Sequence, residues 1–107
     1  MKAFLRIFLI AATAVVTASI SVMAQDAADS YNNKCASCHG PDGAGKTAKG
    51  KKLKVQDVRV TSTKVSVAEM AAIVEKGKGV DMDAFGTQFN KTHIGALVEY
   101  YRGLAKK

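Results

Sequence analysis

Cys35-Ala36-Ser37-Cys38-His39 is the stretch on which the fold of this 107-residue chain turns. Two thiols three positions apart, followed at once by an imidazole, form a C-x-x-C-H pattern, the attachment signature of a c-type haem. The spacing has a chemical reason. Thiols one helical turn apart reach the two vinyl groups on neighbouring edges of a porphyrin, and the next residue projects its imidazole toward the iron. Cys35 and Cys38 are therefore expected to carry the thioethers, and His39 to be the proximal iron ligand. The same five residues permit other readings. A thioredoxin-like redox pair would need a βαβ pattern, and none is visible. A zinc site would need further ligands at finger spacing, and His93 lies too far along the chain to supply it. A plain disulfide closing so short a loop contributes little and leaves His39 without a role.

Outward from this motif, the composition explains why a cofactor is wanted. Lys2 and Arg6 are the only charged residues of the first 24, so the remaining 83 residues carry 14 basic and 9 acidic side chains, a net charge of +5. Chains below about 70 to 80 residues usually need a disulfide, a metal or a cofactor to complete a core, and 83 residues is close to that limit. Two cysteines exclude a disulfide-dense scaffold and allow one attached haem per chain. The overall polarity is too ordinary for a disordered chain.

Residues 1–24 read as a secretory signal peptide, which leaves 25–107 as the functional domain. Met1 to Arg6 supply two cations, Ile7 to Val22 are apolar apart from Thr13, Thr17, Ser19 and Ser21, and Val22-Met23-Ala24 offers a cleavage site. The rival is an uncleaved membrane anchor, since this stretch approaches the roughly 17 to 25 residues of a spanning helix. Its hydroxyl content and the lack of a positive flank before Gln25-Asp26 favour cleavage. Export places the domain in the bacterial periplasm, where thiols can be oxidised.

Three helices are predicted. The first runs from Asp26, a candidate cap, to Lys34, with Ala27, Ala28 and Tyr31 at helical spacing. Gly40 to Gly50 holds four glycines and the only proline, so it should be loop. Leu53, Val55, Val58 and Val60 alternate weakly, but a lone strand has no partner, and the segment reads as extended loop. Ser66 and Glu69 form a capping box, flanked by Val65 and Met70 as a hydrophobic staple, so the second helix begins at Val67 and stops at Gly77. The third starts after Asn90 and reaches about Gly103, with Ile94, Leu97, Val98, Tyr101 and Leu104 as its apolar stripe.

In this order the pieces resemble a small class I cytochrome c of the single-haem bacterial kind. The likeness spans most of residues 26–105: short helix, C-x-x-C-H followed by Gly40-Pro41-Asp42-Gly43, lysine-rich loop, capped helix ending Lys76-Gly77-Lys78-Gly79, methionine loop, and a last helix with Leu97 and Tyr100. It implies an all-α fold wrapped round the haem, with Ala27 and Tyr31 of the first helix meeting Leu97 and Tyr100 of the last. The resemblance also implies that Met82, in Gly79-Val80-Asp81-Met82-Asp83-Ala84-Phe85, is the distal iron ligand. Family members commonly carry proline directly after this methionine; here Asp83 stands there. Met70 is the alternative thioether, but its staple position on an apolar face reads as core packing. Met23 departs with the signal. His93 is the remaining rival, at the third position of a capped helix. A thioether raises the potential relative to a second imidazole, so Met82 implies a comparatively positive potential. Pro41 is a candidate carbonyl partner for the other ring nitrogen of His39.

The function implied is a one-electron carrier between periplasmic or membrane redox enzymes that transforms no substrate and so is not an enzyme. The alternatives are a haem-based sensor with a labile sixth ligand, and a cytochrome subunit fixed on a larger dehydrogenase. Lys46, Lys49, Lys51, Lys52 and Lys54 put five cations in nine residues, with Lys34, Lys76 and Lys78 flanking the haem. They can keep a small protein soluble, or steer a monomeric carrier onto acidic docking surfaces of redox partners. Nothing resembles a nucleic-acid-binding motif.

Overall fold

The computed structural model describes residues 23–107. The signal peptide expected over residues 1–24 falls almost entirely outside them. Residues 23–34 form helix α1. It is followed by α2 (Ala36–His39), α3 (Ala48–Lys52), α4 (Val58–Lys64), α5 (Val67–Lys76), α6 (Lys91–Gly103) and a final 3₁₀ turn at Leu104–Lys106. The described chain is all-α, and its sole extended pairing is an isolated bridge between Lys78 and Met82. Among the described residues no helix is long and apolar enough to cross a membrane.

Helices α5 and α6 begin where capping chemistry places them. Ser66 accepts the Glu69 N–H at 3.1 Å to open α5, and Asn90 accepts the His93 N–H at 2.8 Å to open α6. Each bond satisfies one of the backbone donors that a helix start leaves without a partner. Gly77, at φ 80°, ends α5 in a conformation that side chains with a Cβ rarely adopt. Its close approach to the Met82 carbonyl also leaves little room: a Cβ there would lie 2.7 Å from that oxygen.

Three expectations require correction. Residues 23–25 are already helical, so Asp26 lies inside α1 and does not cap it. The stretch expected to be loop up to Gly50 contains the start of α3, capped by Thr47, whose hydroxyl accepts the Gly50 N–H at 2.9 Å. Residues read as extended loop around Val58 form α4, capped by Asp57, which accepts the Arg59 N–H at 2.9 Å. Both helices are too short to show an amphipathic period. Their stability comes from packing, α3 against α2 and α4 against α6 and the final turn.

The core gathers Tyr31, Val58, Leu97 and Leu104, all buried, with Cys35, Ala36, Phe89, Tyr100 and Tyr101 packed against them. Ala27 and Leu97 are both buried, and the rings of Tyr31 and Tyr100 meet at 5.2 Å, as the likeness implied for the first and last helices. Ile94, Val98 and Leu104 complete the apolar stripe of α6. Burying each such side chain contributes about 1.5–3 kcal/mol.

Candidate functional site

Helix α1 runs into the cysteine motif through the bond from the Cys35 N–H to the Tyr31 carbonyl, 2.9 Å. Cys35 then starts a single new turn, its carbonyl accepting from both Cys38 N–H (3.2 Å) and His39 N–H (2.9 Å). Residues three and four apart on a turn share one side. The structure thus brings Cys35, Cys38 and His39 onto one short element. Gly40, with φ 84°, closes the turn, and its carbonyl accepts the Tyr31 hydroxyl at 2.7 Å.

Sequence reasoning missed Thr47. Its hydroxyl lies 2.7 Å from the Ser37 carbonyl and 3.2 Å from that of Cys38 while capping α3, so it straps α3 to the cysteine turn. A hydroxyl residue four positions ahead of Lys51, in a glycine-rich segment, was the available signal. Gly50 completes the contact, because a Cβ there would clash with the Cys38 carbonyl oxygen.

The electrostatics of the turn separate the competing readings. Both cysteines are free and half-buried. Burial first, then the neighbouring Cys38, pushes the Cys35 thiol up to about 11. A thioredoxin-like pair also needs a βαβ setting, and every element among the described residues is helical. Among the described residues no three His, Cys, Asp or Glu side chains converge as a zinc ion would require. Burial holds the His39 imidazole below its ordinary range, which keeps it neutral, the form that binds a metal.

His39 Nδ1 is buried and has no hydrogen-bond partner among the described residues; the Pro41 carbonyl does not fill that place. The Tyr101 ring packs against the imidazole in a T-shaped arrangement, the ring centroids 5.1 Å apart at 67°. Buried ring nitrogens are nearly always satisfied. A neutral imidazole one turn from two free thiols, packed against an aromatic ring, fits a group supplied from outside the polypeptide, while its buried Nδ1 is left without the carbonyl partner expected for it.

Met82 sits in the connection between α5 and α6. Its backbone pairs with Lys78 in both directions, Lys78 N–H to Met82 O at 3.0 Å and Met82 N–H to Lys78 O at 3.2 Å. The loop is then tied to α5 by Phe85 N–H to Val74 O (2.9 Å) and Gly86 N–H to Glu75 O (3.0 Å). These four bonds restrain the loop without the proline that Asp83 replaces. Met70 is buried, and its Sδ lies 3.6 Å from the Arg102 guanidinium, which also donates to the carbonyls of Val65 and Ser62. His93 is half-buried, with Nε2 2.9 Å from Ser30 Oγ and its ring stacked on Phe89.

Comparison with known proteins bears on the same turn. A family model described as cytochrome C oxidase, cbb3-type, subunit III matches residues 22–100. No curated protein and no solved structure matches the chain. The matched span holds the cysteine turn, the methionine loop and most of α6, and the domain it describes carries covalently bound c-type haem with iron and transfers electrons. With two thiols and a neutral imidazole on one turn and a match over most of its length, the chain belongs to this cbb3-type cytochrome c family.

Proposed function

We propose that this protein is a one-electron carrier in which Cys35 and Cys38 are the covalent haem anchors and His39 and Met82 the axial ligands. The observation that carries the reading is the turn itself, where two free thiols and an imidazole share one element closed on the Cys35 carbonyl. When bound, the haem supplies reversible one-electron chemistry at its iron. The polypeptide contributes position and environment. The α2 turn fixes the spacing of both anchors and the imidazole, and Met82 would be supplied from the restrained loop that follows α5. The choice of Met82 is supported by what is already engaged. The Met70 sulfur is contacted by Arg102 and the His93 Nε2 by Ser30, whereas no hydrogen bond engages the Met82 sulfur among the described residues. A thioether ligand favours ferrous iron and a comparatively positive potential. The restraint of the loop weighs against a sensor with a labile sixth ligand.

Partners of this carrier are redox proteins, and the acidic docking surface proposed for them rests on Lys46, Lys49, Lys51, Lys52 and Lys54. All five are exposed on and around α3, and none joins a salt bridge among the described residues. The setting proposed is the periplasm, reached through the signal of residues 1–24. The name of the matched family supports a second arrangement, the same electron transfer by a cytochrome held on a larger oxidase. Size-exclusion chromatography of the native protein separates a free monomer from a fixed subunit.

The deciding experiment is the intact mass of protein produced in a bacterial host with cytochrome c maturation. The expected result is a chain lacking residues 1–24 and carrying one covalent haem, with no haem on the Cys35→Ala/Cys38→Ala variant. A colourless exported chain with its two sulfurs free or bridged overturns the reading.

A further inference from the structure

Phe85, Phe89 and His93 recur every four residues from the methionine loop into α6. Their rings form a column, Phe85 on Phe89 at 5.8 Å and 21°, then Phe89 on His93 at 4.6 Å and 10°. The column ends on another helix, because His93 Nε2 lies 2.9 Å from Ser30 Oγ of α1, 63 positions away in sequence. Its other end is anchored too. Phe85 is buried, and its N–H donates to the Val74 carbonyl.

This connection matters because of what lies at its ends. Helix α1 leads directly into Cys35 and the anchoring turn, while Phe85 lies three residues after Met82. The backbone bonds of the loop tie it to itself and to α5, and none reaches α1. Its spacing from α1 is therefore set by side chains, by Phe89 packed against the core that holds Tyr31 and by the column that ends on Ser30. Among the described residues, the Ser30 to His93 contact is the hydrogen bond that joins α1 to α6. Near-parallel stacking sets the plane of the imidazole and the hydroxyl sets its rotation within that plane, so the ring has little freedom to slide. We infer that His93 is a positioning residue for Met82, holding the methionine loop at a set distance from the cysteine turn through Phe89 and Phe85. The inference rests on Met82 being the distal ligand.

The test uses the mature holoprotein and the variants His93→Ala, His93→Phe and Ser30→Ala. The thioether-to-ferric charge-transfer band and the far-UV circular dichroism are followed together on heating, and amide exchange is measured at Met82 and Phe85. In the wild type the band and the helices are expected to disappear together. In His93→Ala the band should fade several degrees before the helices melt. Exchange at Met82 and Phe85 should rise on the order of tenfold, as loss of one hydrogen bond of typical strength allows. Ser30→Ala and His93→Phe keep the ring column and lose only the link to α1, so they should show the same early fading to a smaller extent. They also keep the inference testable if His93→Ala fails to fold. Loss of band and helices in step in every variant, with exchange rising uniformly along the chain, overturns the inference and leaves His93 a stabilising contact. A wild-type holoprotein without the band instead overturns the assignment of Met82, and this inference with it.

Discussion

The methionines of the helical body differ in what already engages their sulfur. Met70 is buried at the start of α5 with the Arg102 guanidinium at 3.6 Å from its Sδ, so its side chain fills space and accepts a donor. Met70→Ala is expected to cost about 2–5 kcal/mol of stability in denaturant titration and to leave the thioether-to-ferric band in place. Met82→Ala should do the reverse, abolishing the band at small cost to the fold, because Met82 belongs to a loop held by backbone bonds. Loss of the band in Met70→Ala would exchange the two assignments. The core role of Met70 was legible from the capping box that precedes it. The engagement of His93 was not: its hydroxyl partner is 63 residues away, and no local pattern reports such a neighbour.

At the scale of elements, the caps carry the argument. Ser66 and Asn90 each precede a helix long enough to display a 3.6-residue period, so both α5 and α6 could be read with their boundaries. The caps of α3 and α4, Thr47 and Asp57, are of the same chemical kind. They precede only 5 and 7 helical residues, and such helices exist because their neighbours hold them. Thr47→Val is expected to cost about 1–2 kcal/mol. It removes a cap and the hydrogen bonds to the Ser37 and Cys38 carbonyls together. Faster amide exchange in Ala48–Lys52, with α6 unaffected, would check that the loss is local. Gly50→Ala should be worse, because the backbone of α3 lies against that of Cys38 and neither can give way.

For the whole molecule, two consequences follow from burial and charge. Burial, then neighbouring Tyr101, Cys35, Tyr100 and Asp42, raise the Tyr31 phenol well above its usual range. The native state therefore keeps this proton where the unfolded chain loses it. The contribution of Tyr31 to stability is complete below a pH of about 10, the unfolded value, and is lost as pH rises through the native one. Tyr31→Phe is expected to cost about 0.5–1.5 kcal/mol at neutral pH, for the bond to the Gly40 carbonyl. It should also flatten the decline of the denaturation midpoint with pH in the alkaline range; an unchanged slope would contradict the shift. Charge acts at longer range. The exposed lysines of α3 should make electron transfer to the anion hexacyanoferrate(III) slow as salt is added. Lys49→Gln/Lys51→Gln/Lys52→Gln should lower that rate and weaken its salt dependence more than neutralising Lys91, Lys106 and Lys107. Equal effects would show net charge acting without a docking face. The cysteine turn, helices α5 and α6 and the lysine cluster are properties of the sequence by itself, because each depends on residues within a few positions of one another, where spacing and capping chemistry suffice. The strap from Thr47, the orphaned nitrogen of His39 and the link from Ser30 through the ring column to the methionine loop were decided only by tertiary structure. Each depends on which distant groups the packed helices bring within hydrogen-bonding reach, and burial is a property of the assembled core.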